Sequence, residues 1–170
     1  MYKIKLSILL LINIFIVSCT NNQIDHSKQK YSLAYIGGEY DGLLLKNYLE
    51  SNLKNIGVYE KNSRFEIQAS IKHSTNLFIT NIDNTSDREK ITTNLYAKIV
   101  NIQSECEIYN FNTDISQFYI YAPSSKFLSN QAALKKIKKD NTESAVRKFI
   151  NELRDIDTNC NESKKSNTTN

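Results

Sequence analysis

Two hydrophobic periods alternate along this chain, and their order predicts its elements. After a polar, unpatterned stretch at 20–30 (TNNQIDHSKQK), Tyr31, Leu33 and Tyr35 alternate with smaller residues. A short strand from Tyr31 to Ile36 is predicted, stopping at Gly37-Gly38. Leu45, Tyr48, Leu49, Leu53 and Ile56 then recur at helical spacing. Asp41 is placed to supply an N-cap oxygen for a helix from Gly42 to about Lys54, with Gly57 beyond its end. From Arg64 the period becomes two: Phe65, Ile67, Ala69, Ile71 and His73 share one face, continued by Leu77 and Ile79, while Glu66, Gln68, Ser70 and Lys72 take the other. Asp83 to Asp87 reads as a turn, and Ile91, Thr93, Leu95, Ala97 and Ile99 resume the alternation, so a long antiparallel hairpin is predicted. A further strand, or a pair broken at Asn112 to Asp114, spans Cys106 to Tyr121.

The last periodic segment is helical, from about Ser129 to Leu153, with Leu134, Ile137, Ala145, Val146, Phe149, Ile150 and Leu153 on one stripe. Lys138 to Ser144 is polar all round, and Asp140 and Glu143 have capping-box spacing, so the helix either continues there or kinks and restarts. The order strand, helix, hairpin, strand, helix predicts an α+β fold: a two-layer sandwich with two helices packed on one face of a four-stranded mixed sheet. The other sheet face then has no cover from the chain itself. Phe78, Ile82, Tyr96 and Val100 fall on that parity, which makes them candidates for a partner interface.

At 170 residues and 40% apolar composition there is room for one compact domain. Its start is of another kind. Lys3 and Lys5 precede a twelve-residue apolar run, Leu6 to Val17, which is short for a membrane span and reads as a secretory signal. Ile16-Val17-Ser18-Cys19 then resembles a bacterial lipobox: a small residue before a thiol that takes the lipid and becomes the mature N-terminus. An uncleaved anchor, or an ordinary signal with a stray Cys, is the alternative. The lipoprotein resemblance implies that Thr20, where an Asp would favour inner-membrane retention, sorts the protein to the outer membrane. The division predicted is 1–18 signal peptide, 19–30 lipidated N-terminus and tether, 31–154 one domain and 155–170 a disordered tail.

Charge and cysteine usage remove other classes. Without the leader the chain carries 20 basic and 18 acidic residues, too even a balance for bulk nucleic-acid binding. Two His and three Cys, without CxxC or HExxH spacing, argue against a metal centre, and no cofactor is expected. Beyond Cys19, an oxidising compartment leaves open either a Cys106–Cys160 disulfide or two separate thiols.

Cys19, the strand Tyr31 to Ile36, the helix ending in Lys46-Asn47-Tyr48-Leu49, the strand Phe65 to Ile71, an Arg-containing turn before Leu95-Tyr96-Ala97, and Tyr109-Asn110-Phe111 leading to a final helix together resemble the lipopolysaccharide-assembly lipoprotein family, LptE. The similarity covers residues 19 to 154. It implies a lipid-anchored, periplasm-facing outer-membrane subunit that plugs an LptD-type β-barrel and supports lipopolysaccharide delivery to the cell surface. Lipid A carries phosphates, so Lys or Arg near a strand end would meet them. Arg88 and Lys90 beside the hairpin turn, with Lys98 on the wet parity, are the candidates for that contact, against the simpler reading of solvated charges. Lys135, Lys136, Lys138 and Lys139 form the densest basic run, which on a helix reads as a solvated face.

Catalysis has little to work with. There is no GxSxG, P-loop or GxGxxG. His73, on an apolar strand parity, reads as a hydrogen-bonded core residue before a general base. The readings carried forward are a non-enzymatic translocon subunit, a periplasmic auxiliary or binding lipoprotein of another envelope transport or secretion system, and a hydrolase built around His73.

Overall fold

The three stretches of period two pair with one another, as their alternation requires. The computed structural model describes residues 29–79, 87–120, 127–156 and 160. They form β1 (Tyr31–Gly37), α1 (Glu39–Asn55), β2 (Phe65–Ile79), β3 (Asp87–Asn101), β4 (Cys106–Ile120) and α2 (Phe127–Glu152), then a turn of 3-10 helix at Leu153–Asp155. The sheet order is β1-β2-β3-β4, with β1 parallel to β2 across the α1 crossover and the other pairs antiparallel. This is an α+β fold with two helices on a four-stranded mixed sheet. The leader, Cys19 and Ile82 lie outside the described residues. Among those described, no helix is long and apolar enough to cross a membrane.

The core lies between one sheet face and both helices. Leu45, Leu49 and Leu53 of α1 and Val146, Phe149 and Ile150 of α2 are buried against Ile67, Leu95, Ala97 and Ile99. Each such side chain contributes about 1.5–3 kcal/mol by leaving water. α1 ends in a Schellman motif: Val58 N–H donates to Leu53 O and Gly57 N–H to Lys54 O, with Gly57 at φ 72° and both Val58 and Leu53 buried.

Several expectations change. α1 begins at Glu39, three residues before the expected start, and its N-cap is Gly38 at φ 118°, with no side-chain cap. A Cβ on Gly38 would come within 2.8 Å of both the Ile71 side chain and its carbonyl oxygen, so glycine is required there by contact and by conformation. Asp41 is therefore inside the first turn and does not cap. In β1 a register shift between Leu33 and Ile36 reverses the parity: Ile36 packs on the core and Tyr35 is exposed. Leu77, on the core parity, is exposed. β4 is one strand, since Asn112, Thr113 and Asp114 keep their pairing with Tyr96, Leu95 and Asn94.

α2 is continuous through its polar stretch. Asn141 and Thr142, both fully buried, explain why: the Asn141 amide donates to the carbonyls of Ile91 and Ile115, and Thr142 Oγ1 to Lys138 O. The stripe is thus carried across the polar segment by side chains that bring their own hydrogen bonds. Past α2, Ile156 packs against the core, and Cys160 is disulfide-bonded to Cys106, with a Cα–Cα distance of 6.2 Å. That bond ties the segment after α2 to the start of β4.

His73 is a core residue, with its side chain 4% exposed and Nδ1 2.7 Å from the hydroxyl of buried Thr93. Burial, joined by the Lys138 ammonium and opposed by Asp41, holds its pKa below the ordinary 6.5. The folded protein then resists a proton that the unfolded chain accepts, so this residue's contribution is complete above about pH 6.5 and is lost as pH falls through and below it. A His73→Gln variant should therefore show a flatter decline of urea-melt midpoint between about pH 6.5 and 5, the native slope from this residue being at most about 1.4 kcal/mol per pH unit. An unchanged slope would show that His73 does not titrate differently on folding. Reduction of the disulfide, or Cys160→Ser, should lower stability by about 2–4 kcal/mol in the same melts while far-ultraviolet dichroism is kept.

Candidate functional site

With both helices on one face, alternate residues of the three long strands point to the other. Register places them in rows: Gln68, Lys98 and Asn110; Ser70, Tyr96 and Asn112; Lys72, Asn94 and Asp114; Ser74, Thr92 and Ser116; Asn76, Lys90 and Phe118. Most of these are polar, and they satisfy one another along the face. Thr92 and Ser116 hydroxyls lie 2.9 Å apart. The Asn94 amide donates to both Asn112 and Asp114 at 2.8 Å, and that of Asn110 to the Tyr96 hydroxyl and to Glu107 at 3.2 Å. Cross-strand bonds of this kind let an uncovered face stay wet without losing register.

Of the four residues expected to make this face apolar, Tyr96 and Val100 occupy it and are half-buried, each among polar neighbours. Phe78 stands opposite Arg88 in the register, at the far end of β2. Some exposed apolar side chains lie toward one end of the sheet. Leu77, on the helix-side face of β2, and Phe118 and Ile120, on the outer face of β4, lie toward the β2–β3 turn. Phe127 and Leu128 open α2 shortly after β4 ends, and Leu128 is 81% exposed. Of these, sequence alternation marked Leu77 as core and gave no separate role to Phe127 and Leu128. The common position of Leu77, Phe118 and Ile120 at one end of the sheet is spatial.

Two of the three expected cations lie at that end. Arg88 pairs with Ile120 in the register, and Lys90 with Phe118, its ammonium 5.9 Å from the ring centroid. Both are on the outer face, two residues apart on β3. Lys98 is on the same face but eight residues further along β3, about 26 Å away. The structure thus joins Arg88 and Lys90 with an apolar surround and leaves Lys98 among Gln68 and Asn110. A phosphate or other anion held by these two cations would have apolar surface next to it, which is the chemistry of an amphiphile's headgroup region.

No family model and no curated protein matches the sequence. Solved structures do match the fold. Rare lipoprotein B from Shewanella oneidensis superposes with a TM-score of 0.61 at 11% identity, over 75% of this chain and 95% of that one. The uncharacterized lipoprotein B from Nitrosomonas europaea gives 0.59 at 11% identity, over 74% and 82% of the two chains. A minor lipoprotein from Acinetobacter baumannii gives 0.56 at 13% identity, over 75% and 91%. At these identities the likeness is one of fold, and the chain shares its two-helix, four-strand arrangement with this set of bacterial lipoproteins.

Proposed function

We propose that the protein is a non-enzymatic lipoprotein of the outer membrane, lipidated at Cys19 and facing the periplasm, that acts as plug and assembly factor of a lipopolysaccharide translocon built on an LptD-type barrel. The observation that carries this reading is the cluster of Arg88 and Lys90 with exposed Phe118 and Ile120 at the end of the sheet. Lipopolysaccharide presents phosphates beside acyl chains, so a surface for it needs cations that remain hydrated next to apolar side chains. The outer sheet face supports the barrel contact, because a barrel lumen is polar and accepts a polar, hydrogen-bonded wall without stripping charge of water. A disulfide between Cys106 and Cys160 suits a compartment outside the cytosol. The fold held in common with rare lipoprotein B supports the same reading.

Affinity purification of C-terminally tagged protein from detergent-solubilised outer membranes tests it. A large β-barrel should be recovered in near-stoichiometric amount. Lipopolysaccharide should be retained with it and fall about tenfold in an Arg88→Ala/Lys90→Ala variant, as loss of about 1.4 kcal/mol predicts. Recovery of the lipoprotein alone, or with an inner-membrane transporter, would move the assignment to an auxiliary binding lipoprotein.

A further inference from the structure

A recess lies on the helix side of the molecule, between the amino-terminal half of α1 and the middle of α2. One wall is apolar: Tyr40, Leu43 and Leu44, with Tyr40 74% and Leu43 57% exposed. The facing wall is cationic, formed by Lys135, Lys138 and Lys139. Lys136 of the same run is paired with Asp140 at 2.7 Å, whereas among the described residues none of the three groove lysines is in an ion pair. The run that reads as a solvated face is therefore split by the fold. One member is neutralised on the helix surface, and three line a recess opposite exposed leucine and tyrosine.

The floor of the recess is polar and incompletely satisfied. Asp41 lines it, and beneath Asp41 is the buried His73, whose Nε2 has no hydrogen-bond partner but lies 3.6 Å from the Asp41 carboxylate, within ion-pair range if the imidazole is protonated. Lys138 is close enough to act on the same imidazole.

We propose that this groove binds a phosphate-headed acyl lipid, its phosphate against Lys135, Lys138 and Lys139 and the first part of its acyl chain along Leu43, Leu44 and Tyr40. Three ammonium groups around one recess suit a multiply charged oxyanion, with Lys acting as a point charge toward phosphate. The leucine wall offers nothing to a free phosphate and no backbone partner to an acidic peptide, whose own N–H and C=O groups would be left unpaired. The α1 wall spans Tyr40 to Asn47, about two helical turns, but its apolar part is only Tyr40, Leu43 and Leu44, which accommodates a headgroup and a few methylenes and offers no continuous apolar seam to a docked helix. This site stands apart from Arg88 and Lys90, and it does not depend on a barrel partner.

The test uses the full-length protein in dodecyl maltoside micelles, titrated with 1-palmitoyl lysophosphatidate and followed by native mass spectrometry. Saturable binding of one lipid per chain is expected, with lysophosphatidylcholine at least tenfold weaker. Lys135→Gln/Lys138→Gln/Lys139→Gln and, separately, Leu43→Ser should each weaken lysophosphatidate binding, the triple variant by tenfold or more. Both should keep the native circular dichroism. If the triple variant fails to fold, the single Lys138→Gln and Leu43→Ser variants carry the comparison. Absence of saturable binding, equal affinity in the variants, equal affinity for lysophosphatidylcholine, or full competition by equimolar inorganic phosphate or an oligoglutamate peptide would each overturn the proposal. Recovery or loss of a β-barrel in the purification above has no bearing on this result.

Discussion

The packing of both helices on a single face of the sheet is the constraint from which the other features descend. Leu45, Leu49 and Leu53 from one helix and Val146, Phe149 and Ile150 from the other close over Ile67, Leu95 and Ile99. The opposite face is left without a second layer. It meets water as a network of Thr, Ser, Asn and Tyr side chains that bond across strands, which holds the register of an uncovered sheet and keeps it from acting as an adhesive surface. A polar face of this kind is unusual as a hydrophobic docking site and well suited to a hydrated, polar enclosure.

Apolar and cationic side chains meet at two exposed places. Toward the β2–β3 turn, Phe118 and Ile120 are exposed on the outer face beside Arg88 and Lys90, with Leu77 exposed on the helix-side face of β2. Between the helices, the approach of α1 to α2 turns Leu43 and Tyr40 toward three lysines. Each makes sense as a surface for amphiphiles, and both sit in a fold held in common with bacterial lipoproteins.

Buried polarity recurs in the helix layer and follows one rule. Asn141, Thr142 and Thr93 are fully buried, and each has at least one named partner: strand carbonyls, the preceding helical turn or an imidazole. Asn141 keeps α2 straight where its pattern suggests a break, because its amide replaces apolar contact with bonds to β3 and β4. Among the described residues, two buried side-chain atoms are left without a hydrogen-bond partner, His73 Nε2 beneath Asp41 and Asn141 Oδ1 in α2.

Element type and order were legible from the chain itself, because period two and period 3.6 arise from backbone geometry that every residue in a strand or helix shares. The layer arrangement followed from two apolar stripes and one apolar sheet parity, and Gly57 marked the end of α1 because a left-handed residue is needed there. What the sequence could not carry was anything decided by contact between distant residues. Asp41 looked like a cap until Gly38 met Ile71; Tyr35 looked like core until a bulge in β1 turned it outward; Leu77 looked like core because alternation does not say how far a helix reaches along a sheet. Four lysines within five residues were indistinguishable in the sequence, and only the approach of α1 divided them into one surface ion pair and three that face a groove. Periodicity is local and survives in the sequence, whereas proximity is set by the packing of the whole chain.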